Sequence, residues 1–135
     1  MPGIMSDNDI QGHFGELLNF LESDYWREIW DSLGLTVETF ETQELARDAP
    51  DIVLWQSCQQ HQILLVTCNR NQEGPESLET AIRTWNEASS LPVFTLADPV
   101  RFMNSRAYAD RVVERLLDCL LNLDNYRGAG RVFLP

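Results

Sequence analysis

Short apolar runs that break off at polar or acidic residues alternate with stretches of helical spacing along this chain. Gly3-Ile4-Met5-Ser6 runs into Asp7-Asn8-Asp9. Gln62-Ile63-Leu64-Leu65-Val66-Thr67 runs towards Asn69-Arg70-Asn71, and Pro92-Val93-Phe94-Thr95-Leu96-Ala97 runs into Asp98. The run at 62–67 is nearly continuous in apolar residues, which suits a parallel strand covered on both faces. A further strand is expected over Leu35–Glu41, where Thr36, Val37, Thr39 and Phe40 favour extended backbone.

The intervening segments read as helices. Phe14, Leu17, Leu18 and Leu21 fall on one helical face, and Trp26, Ile29, Trp30 and Leu33 repeat the spacing before a stop at Gly34. Pro50 and Asp51 suit the first turn of a helix whose Ile52-Val53-Leu54-Trp55 is apolar on more than one side, so it is expected to be well buried. Leu78, Ala81, Ile82 and Trp85 mark another. A long helix from about Ser105 to Leu121 puts Ala109, Val112, Val113, Leu116, Leu117 and Leu120 on one side. Its Asp110, Arg111, Glu114, Arg115 and Asp118 read as a solvated face.

Strands alternating with helices predict an α/β three-layer sandwich. Its central, mostly parallel sheet has about four to five strands, with right-handed crossovers laying helices on both faces. The 135 residues make one domain, with the helix and tail over about 105–135 as an elaboration. Arg131–Leu134 can add an edge strand or pack against a partner. Gly128-Ala129-Gly130 is no phosphate loop, because no strand leads into it and no helix follows.

The chain carries 21 acidic residues against 10 basic ones, all Arg, for a net charge of -11. Such a field repels phosphate backbones, which disfavours non-specific nucleic-acid binding. Acids gathered in one place would reverse this by holding a metal that bridges to phosphate. The three cysteines form no CxxC pair, so neither a zinc site nor a disulfide framework is expected. Cys58 and Cys119 read as small core residues, Cys68 as strand-end packing, and His13 and His61 as isolated surface or capping residues. No apolar run approaches the ~20 residues of a membrane span, and the N-terminus lacks a signal-peptide pattern. A soluble cytoplasmic protein is the expectation.

Parallel strands share a carboxyl edge, where open α/β sheets bind ligands. Carboxylates there suit a hard divalent cation, Mg²⁺ or Mn²⁺. Asp7, at the end of the first strand, is the leading candidate. Asp9 is more simply a turn or cap residue. Asp51 belongs to the site if its helix starts beside Asp7, and otherwise serves the helix dipole. Asp98 ends a strand on the same edge, or starts a turn with Pro99. Asn69 and Asn71 can offer amide oxygens but no charge. Arg70, between them, reads as a surface residue.

These residues resemble the small PIN-like domains, a group related to toxin-type PIN nucleases. There, an opening strand leads into a hydrophobic, small, Asp, Glu, Asn, aliphatic motif, which here reads Met5-Ser6-Asp7-Asn8-Asp9-Ile10. An Asp opens a helix, here Pro50-Asp51-Ile52-Val53-Leu54-Trp55, and a strand ends in Thr-Arg-Asp-x-Asp, here Thr67-Cys68-Asn69-Arg70-Asn71. The resemblance spans roughly residues 3 to 100. It implies an acidic Mg²⁺ or Mn²⁺ site that cuts single-stranded RNA. By position, Asp7 and Asp51 are metal-site acids, Asp98 a supporting carboxylate, and Asn69 and Asn71 stand where the family has acids. The expectation is a metal-dependent endoribonuclease of toxin type with a weakened acidic site. The alternative is a catalytically inactive interaction module that works through an antitoxin-like protein or a second copy of itself. A receiver of the response-regulator kind would also use acids at a sheet edge, but it resembles this chain less, because the chain has no Lys.

Overall fold

The computed structural model describes residues 2–68 and 77–135. In chain order the elements are β1 (Gly3–Ser6), α1 (Gln11–Leu21), α2 (Arg27–Leu33), β2 (Thr36–Val37), α3 (Asp51–Gln60) and β3 (Ile63–Thr67). Then follow α4 (Leu78–Trp85), β4 (Val93–Leu96), α5 (Pro99–Asn104), α6 (Arg106–Leu121) and β5 (Arg131–Leu134). The five strands form one all-parallel sheet in the order β2-β1-β3-β4-β5. Among the described residues, no helix is long and apolar enough to cross a membrane.

Alternation along the strands divides the core into two layers. Ile4, Leu64, Val66, Phe94 and Leu96 face α1, α5 and α6, whose Leu17, Phe102 and Leu116 they meet. Met5, Ile63, Leu65 and Val93 face α3 and α4, meeting Leu54, Trp55, Ala81 and Ile82. Every residue of β1, β3 and β4 is buried, as a sheet covered on both sides demands. Cys58 and Cys119 are core residues, and burial pushes the Cys58 thiol up to about 12, which keeps it unreactive.

The handedness of the crossovers differs from expectation at one place. The step from β3 to β4 carries α4 on one face. The step from β4 to β5 runs in the same direction but carries α5 and α6 on the other face. The two connections therefore have opposite hands, and the last one is the exception to the right-handed rule. What α6 gains by it is burial: eight of its residues are buried, in one cluster with Phe94 and Leu96 of β4 and Val132 and Leu134 of β5.

The strand expected over Leu35–Glu41 shortens to Thr36–Val37. Beyond it, the backbone N–H of Thr39 donates to Thr42 Oγ1 at 2.9 Å, and that of Thr42 donates to Thr39 Oγ1 at 3.1 Å. Threonine hydroxyls thus take over the backbone groups a ladder would have used. The turn folds Phe40 into the core, where it is 2% exposed. Asp98-Pro99 opens the short helix α5 instead of a turn, and Ser105 caps α6 by accepting from the Tyr108 N–H at 3.2 Å.

β5 is fixed at its start. Arg131 is 9% exposed in its side chain and donates to Thr95 Oγ1 at 2.7 Å and Glu79 Oε2 at 2.8 Å, tying β5 to β4 and α4. Gly130 enters the strand with φ +81°, and a Cβ there would lie 2.9 Å from Ile82 Cγ2. Both the backbone angle and the contact exclude a side chain. Gly130→Ala is therefore expected to lower the urea midpoint at unchanged m-value, by about 1–3 kcal/mol of stability.

Candidate functional site

In the observed strand order, the chain leaves β1 for β2 on one side and returns to β3 on the other. The helix after β1 lies on one face and the helix after β3 on the opposite face. The connections diverge there and open a crevice beyond the strand ends, the usual ligand position in such sheets. A cavity of about 350 Å³ lies at this point, lined by Asp7, Asn8, Asp9, Phe40, Arg47, Asp48, Ala49, Asp51 and Leu54.

Asp7 is set by the β1–β3 ladder. Ser6 pairs with Val66, and the Asp7 N–H donates to the Val66 carbonyl at 3.1 Å, so Asp7 comes level with Thr67. The Thr67 hydroxyl donates to Asp7 Oδ2. Asp7 is 8% exposed, and its Oδ1 is buried with no hydrogen-bond partner. Burial pushes the Asp7 carboxyl above its ordinary value of 3.8; the Thr67 hydroxyl and the Asp9 backbone N–H oppose the rise, and the nearby charges of Asp9 and Asp51 add to it. Asp51 is the first residue of α3 and is half-buried. Its Oδ2 accepts the Leu78 N–H at 3.3 Å, which links the starts of α3 and α4.

Asp7 and Asp51 thus meet at one cavity. Asp9, in a 3-10 turn over Asn8–Ile10, borders the same cavity. Asp98 does not: it is exposed, and its Oδ1 accepts the Arg101 N–H at 2.9 Å as the cap of α5. Asn69, Arg70 and Asn71 lie outside the described residues. No family model, no curated protein and no solved structure matches this chain.

Three contributors were not singled out by sequence reading. Thr67 had a signal, since a hydroxyl at the end of a buried strand needs a partner. Arg47 and Asp48 fall in a stretch that reads as plain loop. Arg47 donates to Glu41 Oε1 at 2.6 and 3.1 Å and to Asn8 Oδ1 and Gln11 Oε1 at 3.3 Å, which folds the loop over the end of β1. It borders both this cavity and a smaller one beside α1.

Among the described residues, no group of three or more His, Cys, Asp or Glu side chains is gathered closely enough to hold an ion. The pair Asp7–Asp51 nevertheless fits a hard cation that keeps much of its water, because Mg²⁺ uses one or two carboxylates plus substrate phosphate. The orphaned Asp7 oxygen is the kind of atom such an ion satisfies.

An aspartate whose folded pKa is raised favours folding below its unfolded value and loses that contribution as pH rises through the raised value. With divalent ions chelated, Asp7→Asn is therefore expected to be more stable than wild type at pH 7, on the order of 1 kcal/mol. The difference should vanish as pH falls below 3.8. Thermal melts from pH 3 upward check this; equal pH dependence of both proteins refutes it.

Proposed function

We propose that this protein is a PIN-like domain that binds Mg²⁺ or Mn²⁺ through Asp7 and Asp51 and acts on single-stranded RNA as a toxin-type ribonuclease with a weakened acidic site. The observation that carries the reading is the buried Asp7 carboxylate, one oxygen held by Thr67 and the other orphaned, beside Asp51 on the switch-point cavity. A stable fold does not leave a buried carboxylate oxygen unpaired without cost, and function is the usual reason it persists.

The chain's own residues divide the work. Thr67 fixes the rotamer of Asp7 through Oδ2. Asp51, anchored to the Leu78 N–H, brings the second negative charge. Arg47 borders the cavity and offers a planar guanidinium to a phosphate, in exchange for its present bonds to Glu41 and Asn8. A divalent ion held by Asp7 and Asp51 would polarise the phosphate and activate water. It also offsets the repulsion between RNA and a chain of net charge -11.

Asp9 and Asp48 also line the cavity, but among the described residues no three acids are gathered closely enough to hold an ion, which favours a second reading, an inactive interaction module acting through an antitoxin-like protein or a second copy of the chain. Calorimetric titration with Mn²⁺ separates the two together with a single-stranded RNA cleavage assay. The leading reading expects a Kd on the order of 10⁻⁴–10⁻³ M, as for weak oxygen sites. Binding should weaken roughly tenfold or more in Asp7→Asn and Asp51→Asn, with Mn²⁺-dependent cleavage lost in both. Binding without cleavage leaves the module, and no binding by wild type rejects the metal site.

A further inference from the structure

The smaller cavity beside α1, of about 260 Å³, adjoins the acidic one. Ser6 lines it, while the next residue, Asp7, lines its neighbour. The wall between them is one guanidinium. Arg47 borders both, and its Nη1 donates at 3.3 Å to Asn8 Oδ1 on the acidic side and to Gln11 Oε1 on the other. Those two bonds are long, whereas Nε and Nη2 are held by Glu41 Oε1 at 3.1 and 2.6 Å. Glu41 thus aims the fork and leaves Nη1 the corner a ligand can take.

Phe14, Leu18 and Val37 give the smaller cavity apolar walls. Gly15, inside α1, lines it as well, and a Cβ there meets nothing within 4 Å. Neither packing nor backbone angle demands this glycine, and glycine inside a helix is less stable than alanine. What it provides is an open, flat side to the cavity. Glu38 lines the same space and takes both of its hydrogen bonds on Oε1, from Thr42 Oγ1 at 3.1 Å and Gln43 Nε2 at 3.0 Å. Its Oε2 is left to accept from a ligand.

A flat apolar slot with a carboxylate acceptor, joined through Arg47 to an acidic phosphate cavity, has the parts of a nucleotide site. Guanine is the base whose Watson–Crick edge presents two adjacent donors, N1–H and N2–H, to a carboxylate. Adenine and cytosine set a ring-nitrogen acceptor there, and uracil flanks its one donor with carbonyls. We propose that this slot holds a guanine of the RNA strand, on the nucleotide next to the phosphate at Asp7 and Asp51. Glu38 Oε2 accepts from the base edge, and Arg47 Nη1 turns to the joining phosphate. The inference rests on the reading of the acidic cavity as a metal and phosphate site and adds the base that this site selects.

Calorimetric titration tests it with the 5′-monophosphates of guanosine, adenosine, cytidine and uridine in excess Mn²⁺, after a titration with Mn²⁺ alone. The guanosine nucleotide should bind about tenfold or more tighter than the others. Glu38→Gln, which sets an amide donor against the guanine donors, should remove that preference. Gly15→Leu should fill the slot and remove it too, while melting no lower than wild type, because leucine is a strong helix former. Both variants should bind Mn²⁺ as wild type does, and Glu38→Gln carries the test alone if Gly15→Leu does not fold. Equal binding of all the nucleotides overturns the inference and leaves the metal site standing. So does a guanine preference that survives in either folded variant, or a protein that takes up Mn²⁺ and no nucleotide. Failure to take up Mn²⁺ overturns the reading beneath the inference and the inference with it.

Discussion

A parallel sheet with helices on both faces gives its central strands no contact with water, so a polar side chain there must be paired or placed at a strand end. β1 and β3 lie side by side in that position, and every residue of each is buried. The polar groups they carry are accordingly concentrated at the carboxyl edge, where the Thr67 hydroxyl meets the Asp7 carboxylate. The same layering makes the connections diverge at this point and opens the cavity. Fold and candidate site therefore share one cause, and Asp7 is where burial and charge are set against each other.

Much of this was legible in the sequence because it depends on periodicity. The apolar run at 62–67 is β3, helical spacing locates α1, α4 and α6, and the run at 92–97 contains β4. The meeting of Asp7 with Asp51 was also within reach, since both stand where a strand ends or a helix begins. What escaped depends on particular hydrogen bonds or on long-range placement. Thr39 and Thr42 bond to each other's backbone and end β2 after two residues, against the extended propensity of that segment. Asp98 follows a strand on the proper edge, yet its carboxylate is engaged by the next helix. Arg47 reaches Asn8 across 39 positions of chain, which no local pattern encodes. In α3, Leu54, Trp55 and Cys58 are buried while Val53 stays 39% exposed, so the apolar run made the helix look more enclosed than it is.

The charge distribution carries its own logic. With 21 acids and 10 arginines, the surface as a whole repels anions and other copies of the chain. Arginine is placed where it makes several bonds at once: Arg47 over the end of β1, and Arg131 between β4 and α4. Both uses exploit the planar fork that lysine lacks, and the chain has no lysine.

The reversed hand of the β4-to-β5 connection has a topological consequence. Helix α4 leaves β3 towards one face, while α5 leaves β4 towards the other, so the backbone parts a second time at the carboxyl edge. An ordinary doubly wound sheet has one such parting; this one has neighbouring partings on either side of β3. Asp98 stands on the rim of the second, which gives the acid that the first cavity does not use an address of its own.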